Sequence, residues 1–383
     1  TGYSRIAKEF IKRFKEKNPK DELFYIGGNY GSLPCDIQIQ DENVTFLPIF
    51  GSVGTSPCLE RIINYVKNYE PDYFIVLGNA AIRKDIDNLH MVFDWCKQHK
   101  LNEKMKTLFY AFVESEFLWT GEHDFCKRMD IIVPGSKFTK FQYDREKIKV
   151  TNHAYPGVDR KEFQPLDPKQ VRELKKRYGY DKKDKIVFSY GRVSSRKNLR
   201  NLLSAAYMTG GENNLKFLFH FLNLTPTNSY DVIDFLDRTC ALMHGKKDWT
   251  KFIKFTENTI TDDILNQYLN IADLAIFPTY GEGFGFGLVE TLYAGCPLMA
   301  SNCSTIPEIV KNYGIQMKCD DYREMSFNCY AKGPKAKLIY KYITDFFKEE
   351  KTKKFWKKQA LEFIKNENYS WDVWYDKLLE KMR

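Results

Sequence analysis

The chain has 383 residues, 43% of them hydrophobic, 28% charged and 15% aromatic. This is the composition of a globular protein with room for two domains, and it excludes a disordered or fibrous chain. The net charge is +9, but the densest basic cluster, residues 351–358, directly follows Glu349 and Glu350 and reads as a solvated helical face, so no nucleic-acid partner is expected.

The nine cysteines are scattered without a C-x-x-C pair. They indicate neither a disulfide framework nor a zinc site, and they predict a reducing compartment. No apolar run reaches the ~18 residues of a membrane span, and no signal peptide opens the given residues. The expectation is a cytoplasmic protein, with contact at a membrane surface left open.

The chain opens on Thr1-Gly2-Tyr3-Ser4 and passes straight into a helical pattern, with Ile6, Phe10, Ile11 and Phe14 on one face. A doubly wound domain ordinarily opens on a strand and a glycine turn, so an opening strand is expected to be missing from the given residues. Strands are then predicted at Leu23–Ile26, Val44–Leu47, Tyr73–Leu77, Leu108–Val113, Ile131–Val133 and Ile148–Thr151. A charged stretch from Lys161 to Lys185, with a helix of its own, is the expected domain connection. Further strands are predicted at Ile186–Tyr190, Leu215–Phe221, Phe252–Phe255, Leu274–Phe277 and Pro297–Ala300. Short apolar runs alternating with helical patterns predict parallel sheets built from βαβ units. Ser370 is placed to cap a last helix bearing Trp371, Trp374 and Leu378 on one side.

Two strands deliver chemistry-bearing turns. Lys185 to Tyr190 leads into Gly191-Arg192-Val193-Ser194-Ser195-Arg196-Lys197-Asn198, then a helix with Leu199, Leu202, Leu203 and Ala206 inward. Leu274 to Phe277 leads into Gly281-Glu282-Gly283-Phe284-Gly285-Phe286-Gly287-Leu288-Val289-Glu290, with a helix from Leu288 to Ala294 stopped by Gly295. The first N–H groups of a helix lack intrahelical acceptors and carry partial positive charge. Glycines let backbone approach a ligand closely. The second turn is therefore an anion cradle, and Glu282 and Glu290 beside it can accept hydrogen bonds from hydroxyls. The first turn adds cations, with Arg gripping phosphate through paired hydrogen bonds and Lys as a point charge. A ligand with both phosphates and hydroxyls suits the pair; a glycine-rich turn with solvated glutamates and a basic surface loop is the plainer reading.

The stretch from Phe277-Pro278-Thr279 to Pro307-Glu308-Ile309 resembles the donor-site signature of family 4 glycosyltransferases, on Glu282-Gly283-Phe284-Gly285, Glu290, Ala294-Gly295-Cys296-Pro297, Ala300-Ser301 and Pro307-Glu308. Gly191-Arg192 with Lys197-Asn198 resembles the G-R-x4-K-[GN] element of the same family. The resemblance implies an α/β chain of the GT-B fold, two Rossmann-like doubly wound domains facing a cleft. Residues 1–163 would form the acceptor-side domain and 164–369 the donor domain, with the helix 370–383 crossing back onto the first. It implies transfer of a hexose from a nucleotide diphosphate sugar, with retention of configuration, no essential metal and no cofactor. GDP-mannose is slightly favoured over UDP-sugars as donor, and the acceptor would be a carbohydrate, glycoprotein or glycolipid. Arg192 and Lys197 would hold the diphosphate, backbone groups of Gly283, Phe284 and Gly285 would complete the cradle, Glu282 would contact the sugar and Glu290 the ribose. Gly2 would belong to a turn facing the donor phosphates, or is simply a terminal glycine. Groups around Ile260 would meet the nucleobase.

One position departs from the family pattern. Many members carry a His after a first-domain strand, and Glu114 stands at that place, able to bind a sugar hydroxyl. An Asp-x-Asp, Asp85-Ile86-Asp87, lies outside any convincing strand end. An epimerase of the same fold and an inactive nucleotide-sugar-binding protein are the alternatives.

Overall fold

A computed structural model describes residues 2–28, 39–49, 56–79, 89–100, 104–118, 120–222, 232–256, 259–326 and 329–382. The chain divides into two compact units. Unit 1 comprises Thr1–Gly157, Ser326–Cys329 and Ser370–Arg383; unit 2 comprises Val158–Met325 and Tyr330–Tyr369. The division falls at Gly157, a few residues ahead of the expected boundary, so the charged helix after it lies wholly inside unit 2.

Unit 1 runs α1 (Gly2–Lys17), β1 (Leu23–Gly28), β2 (Ile39–Asp41), β3 (Val44–Ile49), α2 (Ser56–Tyr69), β4 (Tyr73–Asn79), α3 (Leu89–Gln98), β5 (Lys106–Phe112), α4 (Thr120–Cys126), β6 (Ile131–Pro134) and α5 (Lys137–Arg145). β1 pairs in parallel with β3, which takes β2 on its far side antiparallel. β4, β5 and β6 form a second parallel sheet. β5 is paired on both edges, and its apolar run is buried after the first residue. β1 and β4, just as apolar, are only half-buried. They line a cavity of about 1240 Å³ with consecutive rather than alternate residues, Leu23 to Ile26 and Tyr73 to Gly78. Because successive strand side chains point to opposite faces, consecutive lining residues mean that strand edges, not one sheet face, border the cavity.

The expected strand Ile148–Thr151 is absent. The Ile148 amide turns back to the Tyr143 carbonyl; Thr151 meets the Ile132 carbonyl of β6 with both its amide and its hydroxyl, and the Ala154 amide reaches the Pro134 carbonyl. These few bonds guide the segment along the sheet without building a ladder. The last helix, Trp371–Met382, packs on α1. Trp374 meets Phe10 edge-on at 6.2 Å, Arg13 pairs with Asp372 at 3.0 Å, and Tyr375 donates to Asn18 at 2.8 Å. Gly157 permits this approach, since a Cβ there would sit 2.3 Å from the Trp371 amide nitrogen. No helix among the described residues is long and apolar enough to cross a membrane.

Unit 2 carries α6 (Pro168–Arg177), β7 (Lys185–Arg192), α7 (Leu199–Thr209), β8 (Leu215–Leu222), β9 (Ile253–Thr256), α8 (Asp262–Ile271), β10 (Leu274–Phe277), α9 (Phe286–Tyr293), β11 (Leu298–Ser301), α10 (Ile306–Val310), β12 (Ile315–Met317), α11 (Ala336–Lys348) and α12 (Glu350–Asn366). The helix starts follow from local chemistry. Asp167 closes a capping box on α6 with Pro168 at its first position, and Thr261 caps α8. The strands form one sheet in the order β12-β11-β10-β7-β8-β9, all parallel. Numbered within the unit, that is 6-5-4-1-2-3, the doubly wound arrangement whose order reverses between its first and fourth strands. The core beneath α7 and α11 is filled by Leu202, Leu203, Phe217, Phe219, Ile339 and Ile343. A small two-stranded sheet, β13 (Asp321–Ser326) and β14 (Cys329–Gly333), was not foreseen from the sequence.

Candidate functional site

The strands that flank the reversal are β7 and β10, neighbours in the sheet although more than eighty residues apart. In open doubly wound sheets this reversal leaves a crevice beyond the carboxyl ends of the strands, where ligands bind. Each of the two sequence-predicted turns leaves one of these strands at that end.

The turn after β7 is short. Ser195–Lys197 forms a single 3-10 turn, and Asn198 takes the left-handed conformation (φ 56°) before α7 begins. Asparagine tolerates that region better than most side chains. Its amide also anchors the turn, donating to the Pro278 and Pro334 carbonyls, both at 2.9 Å. Arg192, the last residue of β7, is exposed.

The turn after β10 is buried throughout Gly281 to Phe284. The Thr279 hydroxyl donates to the Gly281 carbonyl and accepts from the Gly281 amide. Ser304 accepts from the Glu282 amide at 2.8 Å, and Thr305 donates to the Gly283 carbonyl at 2.9 Å. Gly285 has φ 88°, and a Cβ there would lie 2.7 Å from Leu288, so only glycine fits this entry into α9. The Phe284 side chain is buried and packs on Phe286 and Tyr369, at 5.1 and 5.6 Å between ring centres. What this residue can offer a ligand is its backbone.

The two turns meet. The Tyr280 amide donates to the Arg196 carbonyl at 2.8 Å, and the Arg196 guanidinium donates to the Gly281 carbonyl. Glu282 lies between two cations, with Lys197 at 2.7 Å from one carboxylate oxygen and Arg196 at 2.8 Å from the other. Burial on its own would raise the Glu282 carboxyl, but the Arg196 and Lys197 charges and their hydrogen bonds outweigh it and bring it down to about 2. Glu290 on α9 is buried and accepts a 2.6 Å hydrogen bond from Tyr190, two residues before Arg192 on β7.

The structure thus brings Lys197 and Glu282 into contact, sets Arg192 at the end of the adjoining strand, and ties Glu290 to β7 through Tyr190. Sequence reasoning missed Arg196, which has no fixed counterpart in the motif, and Tyr190, read only as a strand residue. Alternating strand residues do not announce which of them will meet a helix a hundred positions later. Ile260 sits half-buried just before the cap of α8, and no hydrogen bond among the described residues ties it to either turn. Gly2 is the first residue of α1, and Glu114, half-buried after β5, also belongs to unit 1. Asp85-Ile86-Asp87 lies outside the described residues.

Three cations, two buried carboxylates and a glycine-lined helix start, at a sheet reversal, can hold an anion and hydroxyl groups together.

Residues 238–363, nearly all of them in unit 2, match the family described as Glycosyl transferases group 1. The chain is 25% identical over 173 residues to an uncharacterised glycosyltransferase of Methanocaldococcus jannaschii, covering 45% of this chain and 40% of that protein. It is 23% identical over 194 residues to the serotype-specific mannosyltransferase WbdA of Escherichia coli, covering 50% of this chain and 22% of WbdA. The chain therefore spans well under two thirds of the length of these relatives. Among solved structures, sucrose-phosphate synthase of Thermosynechococcus elongatus superposes with a TM-score of 0.70 at 13% identity, covering 99% of this chain and 91% of that one. HepE of Anabaena in complex with UDP and glucose gives 0.68 at 12% identity, covering 100% and 96%. A glycosyltransferase of Rickettsia africae gives 0.65 at 17% identity, covering 98% and 93%. These likenesses show the fold: α/β, of the GT-B glycosyltransferase type.

Proposed function

We infer that the corner between β7 and β10 binds the diphosphate of a nucleotide sugar and that the protein transfers the sugar, a hexose, to a carbohydrate, glycoprotein or glycolipid acceptor. The observation that carries this reading is the meeting of the two turns. A cation-bearing corner and a glycine-lined helix start converge where a doubly wound sheet takes its ligands. When the bond from the anomeric carbon to the phosphate oxygen breaks, its electron pair stays on the diphosphate. Arg192 and Lys197 are the charges that meet this developing anion, and fixed charge of that kind is typically the largest single catalytic contribution. On this reading they do without an essential metal, Glu282 reaches the sugar, Glu290 takes the ribose hydroxyls, and transfer retains the anomeric configuration.

The mannosyltransferase relatives support GDP-mannose as donor; HepE, crystallised with UDP, supports a uridine nucleotide. Glu114, where the family pattern has His, favours as second reading a protein that binds the donor without turning it over. Calorimetric titration with a panel of nucleotide sugars tests the first step. Micromolar binding of one nucleotide class supports the proposal, and no binding of any overturns it. Turnover with any acceptor removes the inactive reading. An altered donor sugar without transfer identifies an epimerase instead.

A further inference from the structure

Tyr190 is fixed from three sides. It stands near the carboxyl end of β7, with its ring stacked on Phe188 at 5.2 Å and met edge-on by Phe277 of β10 at 5.2 Å. Its hydroxyl reaches α9, 2.6 Å from the Glu290 carboxylate and 3.2 Å from the Gly287 carbonyl. Gly287 makes the room: a Cβ there would lie 3.2 Å from that hydroxyl and 3.0 Å from the Phe277 ring. Sheet, turn and helix thus combine to hold one phenol against one carboxylate.

Glu290 is 2% exposed, and a carboxylate so deeply placed needs donors to remain there. An ionised carboxylate has about four lone-pair sites, so a bond from Tyr190 leaves it able to accept from a ligand as well. A diol presents two hydroxyls at fixed spacing, and a carboxylate accepts both only when its plane is held. The Tyr190 ring, immobilised by two aromatic neighbours, supplies that hold.

We propose that Tyr190 is a positioning residue that aims Glu290 at the ribose diol, and that the site therefore selects ribonucleoside diphosphate donors over their deoxy counterparts. The proposal rests on the nucleotide-sugar reading of the corner. A site built to hydrogen-bond a hydroxyl penalises the analogue that lacks it, because the site group is left without its partner.

The test is calorimetry with UDP, GDP, their 2′-deoxy and 3′-deoxy analogues, and inorganic pyrophosphate. The wild-type chain is expected to bind the better ribonucleotide about 10–100-fold more tightly than its deoxy forms. Tyr190→Phe keeps both ring contacts and removes only the hydroxyl. It should cut this preference to about threefold or less while leaving pyrophosphate affinity unchanged; the melting temperature should fall by a few degrees because the buried Glu290 carboxylate loses a donor, whereas general loosening of the fold would weaken pyrophosphate as well. Gly287→Ala, which crowds the hydroxyl from the other side, should narrow the preference in the same way. Full discrimination retained in Tyr190→Phe overturns the positioning role and leaves the donor site standing. A wild-type chain that binds nucleotides but ignores the missing hydroxyls overturns the proposal together with the ribose contact. A chain that binds no nucleotide overturns the underlying reading.

Discussion

The two corners of unit 2 share a plan, a parallel strand running through a glycine turn into a helix, yet they are built to opposite standards. The turn after β10 is buried and held by Thr279, Ser304 and Thr305, each bonding to turn backbone. The turn after β7 leaves Arg192, Ser194 and Ser195 exposed and relies on Asn198 for its fixing. One corner supplies geometry and the other supplies charge. A ligand that is both anionic and hydroxylated needs both, and Arg192 in water, with Arg196 and Lys197 only partly buried, avoids the desolvation that burying all three would entail.

If the corner after β7 acts through charge, Arg192→Ala and Lys197→Ala should each lower turnover about 10²–10³-fold on the scale of one lost donor, with melting temperature little changed for Arg192→Ala but lowered for Lys197→Ala, which takes a partner from the buried Glu282 carboxylate; near-normal steady-state rates would remove either residue from the mechanism. Asn198→Ala should cost roughly 2–3 kcal/mol by denaturant titration, because two buried carbonyls lose their donor and alanine is strained at a left-handed φ. Asn198→Gly relieves the strain but not the lost bonds and should recover about 1 kcal/mol of that.

Glu282 gives the pH arm. Its carboxyl is held near 2 against an ordinary 4.5, so the stability it contributes is present above about pH 4.5 and is lost as pH falls toward 2. The amount is on the order of 3 kcal/mol. Glu282→Gln should flatten the stability curve across that window. Glu122 of unit 1 acts with the opposite sign. Burial raises it to about 7 despite the bond from Tyr143, so its contribution is present at low pH and is lost between about pH 4.5 and 7. The smallest effect expected is from Gly285→Ala, about 1–2 kcal/mol for a side chain at positive φ against Leu288. A larger loss in donor affinity than in stability would mark this turn as the geometric partner.

Much of this was legible in the residues. β5, β7, β8 and β10 were found because strands buried on both faces read as continuous apolar runs. Both turns were found because glycine, arginine and lysine at fixed spacing carry their own chemistry. β13, with the sequence Asp321-Tyr322-Arg323-Glu324-Met325-Ser326, has no such run, and β12 is only three residues long. Ile148 to Thr151 misled because β-branched residues fit an extended segment whether or not a partner strand pairs with it. The pairings Arg196–Glu282 and Tyr190–Glu290 were beyond reach. They join residues 86 and 100 positions apart, and only the reversal of strand order sets them side by side.

Glu282 between Lys197 and Arg196 has a consequence for selectivity. The corner is not a bare positive hole, since it contains its own counter-ion, held at two points. An arriving anion must displace or share that carboxylate. Chloride, compact and singly charged, has little with which to do so, whereas a diphosphate brings several oxygens and more charge. On the proposed reading this counter-ion favours a polydentate guest over the common ions of the surroundings.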